Sequence, residues 1–145
     1  MTNKTGKLTN PRPVEVVNTA VPQTALSLGL MRPWRMVFVV KDMGARIVVD
    51  VTDSVTLGRV PPTGGGTPTI DLRPFGAEKA GVSRKHLVVK VEGDGVYAAD
   101  FGSANGSLLN GKRLEPNTFY PIHHQDEIVL GLLQIVVELL IDPLS

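Results

Sequence analysis

Beyond Trp34 the chain breaks into short runs of Val, Ile and Leu, each closed by Gly, Pro, Asn or Asp. Apolar and polar positions alternating over so few residues mark half-buried β-strands, whose side chains point to opposite faces in turn. The pattern predicts strands at Met36–Val40, Ala45–Asp50, Val55–Leu57, Thr69–Leu72, His86–Val91, Val96–Asp100, Ser107–Leu109, Arg113–Leu114, Phe119–Pro121, Glu127–Leu130 and Leu133–Leu140. Asp42-Met43-Gly44, Gly93-Asp94-Gly95 and Asn110-Gly111 are the tight turns between neighbours. Many short strands with turn residues between them predict an all-β fold, a two-sheet antiparallel β-sandwich over residues 34–145.

Two stretches stand apart from this rhythm. Residues 1–33 hold Pro11, Pro13, Pro22 and Pro33 among Thr and Asn, with little periodicity, which predicts a flexible N-terminal tail. Within it Ala25–Met31 reads as a mildly apolar linker in preference to a short docking helix. The second is the connection from Val60 to Gly81, with Pro61-Pro62, Gly64-Gly65-Gly66 and Pro68, interrupted by the brief strand at Thr69–Leu72. Connections of this length in a compact domain often serve function.

Composition sharpens the picture. With 42% hydrophobic but only 5% aromatic residues, the core must be aliphatic, and 15 Gly with 11 Pro favour turns over long helices. The absence of cysteine removes disulfides, thiol nucleophiles and thiolate metal sites. Net charge is +1, but unevenly spread: residues 1–35 carry +4 and residues 36–145 carry −3. Nothing here drives the domain in bulk toward nucleic acid, so an anion site in it must rest on individually placed arginines. Met1–Asn10 has no signal-peptide core, and the apolar end Leu130–Ile141 is short and carries Gln134 and Glu138. A cytoplasmic protein without membrane or nucleic-acid partners is expected.

The candidate chemistry lies in the turns. Leu57-Gly58-Arg59 is followed by Gly81-Val82-Ser83-Arg84-Lys85-His86, then Asp100-Phe101-Gly102-Ser103-Ala104-Asn105-Gly106-Ser107, Leu109-Asn110-Gly111, and Asp126-Glu127-Ile128-Val129-Leu130-Gly131. In this order the pieces resemble the forkhead-associated (FHA) domain, a reader of phosphothreonine, over roughly Met36 to Leu140. The resemblance implies the FHA/SMAD-like sandwich and a threonine-phosphorylated protein or peptide as partner, with the module acting as adaptor or regulator in Ser/Thr kinase signalling.

It also implies roles residue by residue. Arg59 pairs with the phosphate, Ser83 is a second phosphate ligand, Arg84 reaches the phosphate or the peptide, and Asn105 clamps the peptide backbone. These residue types suit such roles. A phosphodianion needs several preorganised donors; Arg offers a planar fork, Ser a short hydroxyl, and Asn a donor and an acceptor together. Gly58 permits close backbone approach, His86 braces the loops from inside, and Asn110 is a structural turn residue. Lys85 is expected on the surface. Two positions depart from the common family pattern: Ala104 stands where a hydroxyl residue is frequent, and Gln125 replaces the glycine of a Gly-Asp-Glu turn.

Catalysis is not expected. No Walker loop, Gly-x-Ser-x-Gly elbow or His-Glu-x-x-His motif is present, and His123-His124 beside Asp126-Glu127 do not converge easily as neighbours on a strand. No cofactor or metal is expected. Two alternatives stay open: a degenerate scaffold that binds a partner without phosphate, and self-binding of a tail phosphorylated at Thr2, Thr5, Thr9, Thr19 or Thr24, helped by the high effective concentration of a tethered ligand.

Overall fold

A computed structural model describes the backbone of residues 14–17 and the whole of residues 34–59 and 69–140. The strands are β1 Val14–Val17, β2 Trp34–Val40, β3 Ala45–Val51, β4 Ser54–Gly58, β5 Thr69–Asp71, β6 Leu87–Glu92, β7 Gly95–Asp100, β8 Ser107–Leu109, β9 Lys112–Arg113, β10 Tyr120–Ile122, β11 Asp126–Leu130 and β12 Leu133–Leu140. They form two sheets, β1-β3-β2-β12-β11-β8-β9 and β10-β7-β6-β4-β5. The architecture is the expected all-β sandwich.

Alternation decides which residues meet between the sheets. Along β3, Ala45, Ile47, Val49 and Val51 are buried while Arg46, Val48 and Asp50 are partly exposed. The core is aliphatic, with Phe38 the largest fully buried side chain beside Met36, Ile47, Leu57 and Leu87. At about 25 cal/mol per Å² of apolar surface removed from water, such positions hold the sheets together.

Among the described strands, pairing is antiparallel except in two pairs. β4 and β5 run parallel, Thr56 to Thr69 and Gly58 to Asp71. A parallel neighbour requires the chain to cross back before pairing, which accounts for the long connection after Arg59. β1 also runs parallel to β3, Val14 to Arg46 and Val17 to Val49. The expected tail of residues 1–33 therefore contributes an edge strand, and the domain reaches beyond the boundary expected at residue 34. Val14-Glu15-Val16-Val17 is β-branched enough to pair, but four residues between Pro13 and a polar stretch give little periodicity. Ala25–Met31 and the tail threonines lie outside the described residues. The segment after β5 closes as a 3₁₀ turn, Arg73–Phe75.

The Gln125 position adopts φ +73°, so the turn keeps the left-handed geometry that glycine would fill without steric cost. Asp126 holds the turn by accepting the His123 N–H at 2.7 Å. Gln125→Gly is expected to stabilise the fold by about 0.5–1 kcal/mol, the relief of strain being partly offset by a looser unfolded chain. Urea unfolding of the two proteins measures it.

Candidate functional site

One pole of the sandwich collects the end of β4, the start of β6, the end of β7 and the start of β8. The loop from Gly81 to His86 is its hub. His86 is fully buried. Its Nδ1 accepts the Ser83 backbone N–H at 2.9 Å, and its Nε2 bonds the Gly106 carbonyl at 2.9 Å. An accepting Nδ1 places the proton on Nε2, so one neutral imidazole fixes two loops far apart in sequence. Through these bonds His86 braces both loops from inside.

Gly58 lets the hub approach β4. The Arg59 N–H donates to the Arg84 carbonyl at 2.9 Å and the His86 N–H to the Leu57 carbonyl at 3.0 Å. A β-carbon on Gly58 would lie 1.9 Å from the Arg84 oxygen, so no side chain fits there. Arg59 turns its side chain onto the same loop, Nε donating to the Val82 carbonyl at 2.5 Å. That bond orients the plane bearing Nη1 and Nη2.

The β7–β8 loop completes the cluster. Ser83 Oγ accepts the Ala104 N–H at 3.0 Å. With that lone pair used, the hydroxyl proton is left for another acceptor. Asn105 Nδ2 donates to the Gly81 carbonyl at 2.8 Å. Arg59, Ser83, Arg84 and Asn105 thus come together from three segments around one loop, at one end of the sandwich. Arg84 and Lys85 are exposed and make no ion pair among the described residues. Asn110 is placed elsewhere. It sits in the β8–β9 turn at φ +50°, its Nδ2 on Asp126 at 3.0 Å and its Oδ1 accepting the Glu127 N–H at 2.8 Å. These bonds tether the hairpin to β11.

Two features were not read from the sequence. Asp100, 2% exposed, accepts the Ser103 N–H at 2.8 Å, the Ser103 hydroxyl at 2.6 Å and the Ser107 hydroxyl at 2.5 Å. Ser103 Oγ in turn accepts the Gly106 N–H at 2.9 Å, which shapes the turn that presents Asn105. An Asp followed three residues later by Ser is a local turn signal. Arg113 is the other: its guanidinium lies against Gly106. The strong Asn110-Gly111 turn fixes a two-residue hairpin that returns Arg113 opposite Leu108, and that register was the available clue.

Titration follows from the burial. Burial lowers the pKa of His86 from its ordinary 6.5, against smaller raising effects of the Gly106 carbonyl and the Asp100 carboxylate, 3.9 Å away. A base with a depressed folded pKa stabilises the fold above its unfolded pKa. That stability is lost as pH falls below about 6.5, because the unfolded imidazole takes a proton the folded one refuses. Asp100 adds a second loss at lower pH: burial pushes its pKa up, but the Ser103 and Ser107 hydrogen bonds outweigh this and hold it below 3.8. Unfolding free energy is expected to fall between pH 6.5 and 5 with a slope of at most about 1.4 kcal/mol per pH unit from His86. Urea titrations at each pH measure it, and His86→Asn should remove that portion of the slope.

Metal chemistry gains no support from the histidines. His124 Nδ1 accepts the Leu139 N–H at 3.0 Å while His123 Nδ1 lies 3.8 Å from Asp126, so the two rings serve different partners. Among the described residues no group of three or more His, Asp or Glu is placed to hold a metal ion.

Comparison with known proteins agrees with this geometry. The chain is 38% identical over 64 residues to Protein FraH of Nostoc sp., covering 44% of this chain and 22% of that protein, so it spans about a fifth of that relative's length. Its fold matches the solution structure of an FHA domain from an Arabidopsis thaliana hypothetical protein, 29% identical, with a TM-score of 0.58, over 79% of this chain and 92% of that one. It also matches an FHA domain analysed for phosphothreonine-dependent interactions, 24% identical, with a TM-score of 0.53, over 72% and 95% of the two chains. The sequence profile of the FHA domain covers residues 55–131, more than half of the chain and every residue of the loop cluster around Ser83. A sandwich whose loops converge on Gly58, Ser83, His86 and Asn105 therefore belongs to the FHA domain family.

Proposed function

We propose that the Gly81–His86 pole binds a threonine-phosphorylated peptide, and that the protein acts as an adaptor or regulator in cytoplasmic Ser/Thr kinase signalling. FHA domains are non-catalytic interaction modules, and the family includes a domain analysed for phosphothreonine-dependent interactions. The observation that carries the reading is the state of Ser83. Its hydroxyl is fixed by the Ala104 N–H, its proton is left to donate, and in the chain it follows Val82, whose carbonyl holds Arg59, and precedes the exposed Arg84. A free hydroxyl proton on a loop that holds one arginine and carries a second exposed one suits a dianion, where charge-assisted bonds offset the loss of hydration.

Selectivity for threonine over serine would come from burying the threonine methyl, worth about 0.8 kcal/mol, and from its stiffer side chain. Ala104 supplies only its backbone N–H, so one side-chain contact common in the family is missing, and affinity should suffer more than specificity. Screening the whole chain against a degenerate phosphothreonine peptide library tests the proposal. Enrichment of phosphorylated over unphosphorylated peptides is the expected result; equal capture of both would point to the phosphate-independent scaffold.

A further inference from the structure

From the placement of Arg113 we infer that a second anion subsite adjoins the phosphothreonine site, built by that residue on the turn that carries Asn105. It reads a carboxylate or second phosphate on the stretch of ligand passing over Asn105–Gly106. The inference rests on the phosphothreonine reading and adds a determinant of which phosphothreonine peptide is chosen.

Arg113 lies in β9, opposite Leu108 of β8. A β-carbon on Gly106 would lie 2.7 Å from its Nη2 and 2.8 Å from its Nη1 and Cζ, so the guanidinium occupies the space a side chain at Gly106 would take. Gly106 itself is at φ +84° and is held from three sides: its carbonyl bonds His86 Nε2 and the Gly131 N–H, and its own N–H donates to Ser103 Oγ. Arg113 therefore rests on a rigid platform one residue from Asn105.

Among the described residues its charge has no partner. The side chain is exposed, and among the described residues it makes neither a hydrogen bond nor an ion pair, whereas Arg35, Arg46 and Arg73 are each matched with a carboxylate. A planar fork with unused donors suits a two-oxygen anion. The domain carries a net charge of −3 over residues 36–145, yet Arg113, like Arg84 on the neighbouring loop, has no carboxylate partner among the described residues. A peptide held at Ser83 and clamped by Asn105 must pass close to it, and an acidic side chain there completes the pair. Packing against Gly106 alone would leave the charge without effect on ligand choice.

The probe is a panel of phosphothreonine peptides in which each flanking position is in turn Ala, Asp, Glu, Lys or phosphoserine, titrated against the full chain. At one position Asp or Glu should raise affinity about fivefold over Ala, as a partly exposed charge-assisted pair does, and phosphoserine should raise it further. Comparing the carboxylate and phosphoserine arms identifies which anion is preferred. Arg113→Gln should erase the gain while leaving the Ala-flanked peptide within about twofold, and Arg113→Lys should keep part of it. Arg113→Glu should turn the same position toward Lys, a reversal that a packing role cannot produce.

Phosphate-dependent binding with no acidic preference in the wild type, or with that preference intact in Arg113→Gln, would overturn the subsite alone. Equal binding of phosphorylated and unphosphorylated peptides would overturn the phosphothreonine reading and this subsite with it.

Discussion

Arg59→Ala is expected to cut phosphopeptide affinity by roughly thirty-fold or more, while leaving the fold intact. Truncating one partner of a desolvated, hydrogen-bonded ion contact typically costs about 2–5 kcal/mol, and each 1.4 kcal/mol is tenfold. The guanidinium is oriented for that contact by its Nε bond to the Val82 carbonyl, so its loss removes both a charge and a preset direction. Stability should change by no more than about 1 kcal/mol, the worth of that one hydrogen bond, because Arg59 lies just past the end of β4 and outside the core. Calorimetric titration with a library-selected phosphothreonine peptide, beside urea unfolding, separates the two effects.

Gly58→Ala should fail in the opposite way, losing stability and binding together. The added methyl would lie 1.9 Å from the Arg84 carbonyl oxygen, which is backbone and cannot swing aside as a side chain would. Relief requires the Gly81–His86 loop to lift from β4, breaking the Arg59 N–H to Arg84 and His86 N–H to Leu57 bonds. Overpacking of this kind costs about 1–3 kcal/mol, and each lost hydrogen bond about 1 more. A loss of about 3 kcal/mol or greater is expected in urea unfolding. Because the displaced loop carries Ser83 and Arg84, phosphopeptide affinity should fall at least as far as in Arg59→Ala. A Gly58→Ala protein of wild-type stability would mean that the close approach of loop to strand is not maintained in solution.

Most of the sandwich was legible because alternation is a local signal. Ala45–Val51 shows it at every residue but Val48, and a buried face follows at once. What escaped depended on pairing between distant segments. Val14–Val17 is a strand by virtue of β3 beside it, and its four residues carry no pattern strong enough to announce that. The parallel β4–β5 pair was hidden because local sequence states that a strand forms, not which way its neighbour runs.

The site divides along the same line. Gly58, Ser83, His86 and Asn105 were identifiable from motif order, and the structure adds how they depend on one another. His86 bonds Ser83 and Gly106, and Asn105 bonds Gly81. Asp100 and Arg113 were missed because their roles arise from three-dimensional neighbours: a carboxylate buried under two serines and a guanidinium laid on a glycine. Gln125 shows the converse. The lost glycine was visible in sequence, but only its φ of +73° shows that the turn keeps its shape despite the larger residue.

The most direct test is isothermal titration of the wild-type chain with one library-selected peptide in three forms: phosphothreonine, phosphoserine and unmodified threonine. The phosphothreonine form should bind tightest, the phosphoserine form at least about fourfold more weakly for want of the buried methyl, and the unmodified form at least roughly thirty-fold more weakly for want of the charge-assisted contacts. Equal affinity for the phosphothreonine and unmodified forms would contradict a phosphate site at Arg59, Ser83 and Arg84.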